Sequence, residues 1–206
     1  MDAKGKIYAA AFGIILLMFA AGMLAPQEQQ VTLLISGFGL LALVSLIFVV
    51  ALPIIARISR HPFALKALSL QRQIGICVFL FALVHVLLVL HFALWWDLSL
   101  LLVPEAVFVL FGVVAFAILA AMAVTSNDFS VKAMGRNWKR VQMLVYMAIL
   151  LVPLHFINVG QVFASNGWLV GAVVLACIAL VYFRFRPKKS LPALPSEGAP
   201  QTAGPK

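Results

Sequence analysis

Charge is scarce in this chain, and one sign of it is scarcer still. Of 206 residues only six are Asp or Glu, only 10% are charged at all, and two are cysteine. No alternation of period two runs through any apolar stretch, which excludes a membrane β-barrel. No GxGxxG, HExxH or CxxC spacing occurs, so the sequence offers no dinucleotide fold, zincin site or dithiol motif. Cys77 and Cys177 both fall inside apolar runs, where neither a disulfide nor a thiolate metal site is indicated.

Apolar length is abundant. Hydrophobic residues make up 65% of the chain and mean hydropathy is +1.12. Six runs are long enough to cross a hydrocarbon core of about 30 Å: about 7 to 25, 31 to 56, 74 to 96, 103 to 124, 141 to 159 and 168 to 184. Lipid admits only helices or closed barrels as spanning structures. The expectation is an all-α integral membrane six-helix bundle over residues 1–186. The remaining 187–206, rich in Pro, Ala, Gly and Ser, reads as a disordered cytoplasmic tail. The first run exceeds the apolar core of a usual signal peptide and meets Pro26 at the would-be cleavage junction, so it is read as a helix. No internal repeat is evident by eye.

The net charge of +9 would suggest nucleic acid in a soluble protein, but its distribution assigns it to topology. Every Lys and Arg falls before the first run, between the second and third, between the fourth and fifth, or after the sixth. The alternate loops "PQEQQ", "WWDLSLLLVPE" and "GQVFASNG" carry none. The positive-inside rule then puts both termini in the cytoplasm of a cell whose plasma membrane is the bilayer, with no role for nucleic acid. Trp95, Trp96 and Trp168 form an outer aromatic belt, and Trp138 sits at the inner boundary.

Four histidines carry the chemistry. At about 1.5 Å per residue, His85 in the third run lies roughly 16 Å deep and His155 in the fifth roughly 21 Å. His91 lies about 25 Å in and is turned roughly 120° from His85 around the helix. An ionisable residue at such depth is a functional candidate by default. The plainer reading is a neutral imidazole hydrogen-bonded between helices. Matched depth on two helices favours a shared ligand. A planar metal macrocycle with one axial imidazole from each helix needs only this pair, whereas a zinc site lacks the further ligands it requires.

"LQRQIG" (70–75), "FALVH" (81–85) and "AVTSNDFSVKAMGRNWKRVQMLVYMAILLVPLHF" (123–156) resemble the ferric-reductase-like transmembrane domain. Within it they are most similar to the haem-binding membrane subunits of bacterial methionine sulfoxide reductase systems. The resemblance implies that His85 and His155 are the metal ligands of a b-type haem held between the third and fifth helices. Two-haem relatives carry a second His pair at positions matching Gln71 and Gln142, and the methionine sulfoxide reductase subunits usually keep His at the latter. Both are Gln here, and an amide is a poor iron ligand, so a single haem b is expected.

The resemblance further implies a bacterial inner-membrane cytochrome b subunit that draws electrons from a cytoplasmic-side donor, quinol or a cytoplasmic flavin reductase, and passes them to an extracytoplasmic reductase partner. Bound FMN or quinone would bridge the inner half. Arg72, Trp138, Lys139 and Arg140 are candidates to cradle such a cofactor, against the plain reading that they only set topology. His91 either snorkels to the interface, contacts a haem propionate, or replaces His85 as ligand. Asn158 and Gln161 are weaker candidates for the propionates. His61 reads as a solvated loop residue, with quinone contact as the alternative. A stand-alone ferric-chelate reductase and a haem-free helical scaffold or transporter stay open as alternative functions.

Overall fold

The computed structural model describes residues 2–160 and 162–186. The tail at 187–206 and Gln161 lie outside the described residues. Nine α-helices and no strands occur among them. They are α1 (Ala3–Met23), α2 (Gln27–Ser59), α3 (Pro62–Ser69), α4 (Gln71–Leu88), α5 (Val107–Val124), α6 (Asp128–Met134), α7 (Arg136–Met143), α8 (Val145–Val159) and α9 (Gly167–Phe185). Six segments are long and apolar enough to cross a membrane: α1, α2, α4 with a following π turn, α5 with its preceding 3-10 turn, α7 with α8, and α9. The expected six-span helical membrane protein is therefore observed.

Several expected boundaries shift. Most of "PQEQQ" is not a loop but the first turn of α2, and Gln30 Nε2 donates to the carbonyls of Met23 and Ala25 just past α1. The third run ends as an α-helix at Leu88 and continues through a π turn, Val89–Ala93, which contains His91. Trp95 and Trp96 follow with φ of 49° and 63°, a left-handed conformation that L-residues seldom adopt. The basic loops hold α3 and α6, which hydropathy alone does not show. His61 is exposed and caps α3, its Nδ1 accepting the Phe63 amide at 3.2 Å ahead of Pro62.

The core runs the length of the bundle. Leu43, Leu46 and Val49 of α2, Val78 and Ala82 of α4, Ile118 of α5, Ile149 of α8 and Val173 of α9 are buried against one another. A smaller cluster of Ala11, Cys77 and Phe81 joins α1 to α4. Many large apolar side chains remain outside, among them Leu17, Val44, Leu150 and Leu175. An outward leucine costs nothing in hydrocarbon, so the outer faces stay as apolar as the inner ones. The most extensive helix interfaces are α2 with α4 and α5 with α8.

One backbone defect is repaired from a neighbouring helix. Pro53 lies inside α2 and has no N–H for the carbonyl of Val49, four residues back. Gln71 of α4 supplies the missing donor, its Nε2 lying 3.0 Å from that carbonyl. In lipid no water could do so. Replacing Gln71 with Ala is expected to destabilise the detergent-solubilised protein by about 1 to 3 kcal/mol, the cost of an unsatisfied buried acceptor. In a Pro53→Ala background, where residue 53 recovers its own N–H, the same change should cost much less. Denaturant unfolding of the four proteins of this cycle measures the coupling, and equal costs in both backgrounds would disprove the repair.

Candidate functional site

The two intramembrane histidines face each other. The ring centroids of His85 on α4 and His155 on α8 are 6.3 Å apart, with the ring planes at 79°. Each ring is anchored in the same way from its other side. His85 Nδ1 donates to the carbonyl of Ile35 on α2 at 2.9 Å, and His155 Nδ1 donates to the carbonyl of Phe108 on α5, also at 2.9 Å. A carbonyl can only accept, so Nδ1 carries the proton in both rings and each Nε2 keeps its lone pair. Neither Nε2 is hydrogen-bonded to a described residue. A carbonyl bound to one ring nitrogen fixes tautomer and ring direction, as it also does for imidazoles that ligate metals.

Space for each ring comes from a glycine one turn beyond the accepting carbonyl. A Cβ added at Gly39 would lie 3.1 Å from His85 Nδ1, and one at Gly112 would lie 2.8 Å from His155 Nδ1. A Cβ at Gly112 would force the His155 imidazole to shift, and one at Gly39 would crowd that of His85. Sequence reasoning singled out neither glycine nor the carbonyls. The signal available was a Gly in each apolar run, "SGFGLL" and "LFGVV", at a level that an antiparallel helix pair sets beside a histidine.

The same pattern recurs one level away, towards the basic end. Gln71 reaches the Val49 carbonyl of α2, and Gln142 of α7 reaches the Met122 carbonyl of α5 at 3.4 Å and Thr125 Oγ1 at 3.3 Å. On the first helix pair the two levels are 14 residues apart along both helices (71 to 85, 35 to 49). On the second they are 13 and 14 (142 to 155, 108 to 122). The levels are therefore separated by about 20 Å. The bundle thus repeats one hydrogen-bonding pattern at matching spacings, which the sequence does not display. Both amides at the level nearer the basic end are engaged with backbone or hydroxyl oxygen.

The remaining candidates are dispersed around the basic end. Arg72 is bonded to Asp128 at 2.6 Å, the one salt bridge among the described residues. Trp138 Nε1 donates to the Thr125 carbonyl at 2.9 Å, tying α7 to the end of α5. Gly135, at φ 51°, makes the turn that brings α7 back under it. Lys139 and Arg140 are exposed, and Arg140 Nη1 donates to Asn137 Oδ1 at 3.3 Å. At the opposite end His91 is exposed and accepts from Trp96 Nε1 at 3.4 Å. Asn158 bonds back to Leu154 of its own helix. Neither joins the His85–His155 pair through a hydrogen bond.

Six apolar spans and a facing imidazole pair define an α-helical membrane protein that brings two histidines together between α4 and α8. Residues 36–153 match the family model described as "Ferric reductase like transmembrane component", and the chain belongs to that family. It is similar to proteins named as the haem-binding subunit MsrQ of protein-methionine-sulfoxide reductase. The one from Salmonella enteritidis PT4 is 25% identical over 135 residues, and those from Salmonella paratyphi B and Salmonella newport are 24% identical over the same length. Each match covers 64% of this chain and 66% of the relative, just under two thirds of the relative's length.

Asp128 provides a readout of the basic end. The hydrogen bond and charge of Arg72 hold its carboxyl below the ordinary carboxylate range, with Lys4 and Lys132 adding to the field. A depressed folded-state pKa means that the contact contributes at neutral pH and is lost as pH falls through that value. Both groups meet solvent, so the gain in stability is small. The carboxyl carbon resonance of Asp128 is expected to titrate below the usual midpoint and to move back towards it in Arg72→Gln. An unshifted midpoint in the parent protein would show that the pair does not persist in solution.

Proposed function

We propose that this protein is a membrane cytochrome b subunit in which His85 and His155 ligate one haem b between α4 and α8. The observation that carries the reading is the imidazole pair, 6.3 Å between centroids with each Nδ1 tied to a carbonyl. Two metal–nitrogen bonds of about 2 Å, with roughly 1 Å more from nitrogen to ring centre on each side, require about the same separation. The donor set is chemically apt, and α4 and α8 present apolar neighbours to a macrocycle. A haem-free scaffold accounts for the Nδ1 bonds but gives the two facing Nε2 lone pairs no hydrogen-bond donor among the described residues.

A bound haem would supply one-electron redox chemistry. The chain's own residues hold the ligand rings in one tautomer through the Ile35 and Phe108 carbonyls and leave room for them at Gly39 and Gly112. Engagement of Gln71 and Gln142 by carbonyl and hydroxyl oxygens supports one haem per chain, since neither amide is free to be replaced without losing a structural bond.

The basic end is assigned to the cytoplasm by the positive-inside rule, which puts both termini there and the His85–His155 level nearer the outside. Electrons on this reading enter from a quinol, or from a flavin reduced by a cytoplasmic flavin reductase, and leave to an extracytoplasmic acceptor. The relatives' name supports a methionine sulfoxide reductase subunit as that acceptor; direct reduction of ferric chelates is the alternative. Arg72 is already paired and the Trp138 indole N–H is used. Of the four residues considered for a cofactor cradle, the exposed Lys139 and Arg140 are therefore the ones to contact a cytoplasmic donor.

Purified protein should be red, with a Soret band, a dithionite-reduced α-band and one haem b per chain by pyridine haemochrome. His85→Ala and His155→Ala should each abolish loading, and His91→Ala should retain most of it. Gly112→Ala should impair loading more than Gly39→Ala, following the tighter approach to His155. A colourless preparation, or full loading without His85, would sink the assignment.

Charge reversal at Arg140 should slow reduction by quinol or by a flavin reductase with NAD(P)H while leaving the haem spectrum unaltered. An unchanged rate would mean that this charge serves topology alone.

A further inference from the structure

A cavity of about 330 Å³ opens between α2, α8 and α9 at the basic end and takes no part in the site above. Its lining is divided in character. Val50 and Ile54 of α2 and Phe183 of α9 form an apolar wall, and Arg57 and Arg184 line the same space from different helices. Neither arginine forms an ion pair with a described residue. Arg184 is nonetheless held: its guanidinium carbon lies 5.6 Å from the centroid of the Tyr146 ring, and Nη2 lies 3.4 Å from Met143 Sδ. Those contacts position the cation without neutralising it.

The level of the cavity fits a headgroup. Helix α2, with 33 residues, is about 50 Å long and outruns a hydrocarbon core of about 30 Å at both ends. Arg57, in its last turn, therefore stands in the headgroup layer, and α9 brings Arg184 to the same level in its own last turn. Ile55 and Ile58 of α2 and Tyr182 and Phe185 of α9, close in sequence to the lining residues, are exposed, an outer surface suited to lipid rather than water.

We propose that this cavity seats the phosphodiester headgroup of an anionic phospholipid. The two guanidinium groups take the phosphate, and the start of an acyl chain lies along Val50, Ile54 and Phe183. Planar forks match phosphate oxygens, and basic pockets between helices at this face are suited to such headgroups. A free phosphate would satisfy the arginines but would leave the apolar wall without a partner. The lipid would bridge α2, α8 and α9, and so brace α8, the helix that carries His155. The proposal stands independently of whether haem is bound.

The test uses the purified full chain in detergent, followed by native mass spectrometry and thermal unfolding with added phosphatidylglycerol, phosphatidylcholine or inorganic phosphate. Phosphatidylglycerol alone is expected to remain bound and to raise the melting temperature. The double variant Arg57→Gln/Arg184→Gln should bind it roughly 30-fold more weakly, the product of two headgroup-level cations. Lys66→Gln, whose residue does not line the cavity, should bind it as the parent does. Equal binding of phosphatidylcholine, or an undiminished affinity in the double variant, would overturn the proposal. If inorganic phosphate alone reproduces the thermal shift, the site takes a free anion and the lipid assignment falls. Should the double variant not fold, Arg57→Lys, which keeps the charge but loses the planar fork, must weaken binding several-fold, and parent-like affinity would refute the site.

Discussion

Everything at the centre of this protein depends on a hydrogen bond from a side chain of one helix to a backbone carbonyl of another. His85 and Ile35, His155 and Phe108, Gln71 and Val49, and Gln142 and Met122 all make it. Within a lipid-surrounded bundle a polar side chain has few partners other than the main chain of a neighbour. The bond therefore fixes which helices pair and at what register. It also decides which imidazole nitrogen carries the proton, so a packing requirement delivers a chemical property: two Nε2 lone pairs presented at one depth.

The price of such bonds is close approach, and the small residues sit where it is needed. Gly39 and Gly112 each lie one turn from an accepting carbonyl; a Cβ at Gly112 would strike the His155 ring, and one at Gly39 would crowd that of His85. The end of α5 shows the same logic with hydroxyls. Thr125 and Ser126 bond back to Ala121 and Met122, leaving the Thr125 carbonyl for Trp138 and its hydroxyl for Gln142. The "AVTS" and "GRNWKRVQ" strings that carry the family resemblance thus do visible structural work: they close α5 with donors from α7.

Composition and hydropathy made the fold legible, because six apolar runs admit few other structures in a bilayer. The boundaries were less so. Gln27 to Gln30 read as a polar loop, yet they form the first turn of α2 and cap the segment before it, since a helix may extend beyond the hydrocarbon where water competes for its ends. Short helices α3 and α6 have too few residues for hydropathy to register. The facing of His85 and His155 was inferable from matched depth. The repeat was not, because its carriers are backbone carbonyls, to which any residue type contributes alike, together with single glycines in long apolar runs.

The two ends of the bundle are built on opposite electrostatic terms. At the basic end one pair of charges is compensated, Arg72 with Asp128, and Arg57 and Arg184 are held beside a cavity by contacts that leave their charge available. At the other end no described Lys or Arg occurs, His91 is bonded to an indole, and two tryptophans are held in left-handed backbone after a π turn. Between them lie about 20 Å of helix from the glutamine level to the histidine level, filled by Val49, Val78, Ala115 and Ile118. An apolar interval of that length would insulate an electron carrier at the histidines from the basic surface. On the proposed reading, a reduced donor must therefore penetrate the bundle rather than dock only at its rim.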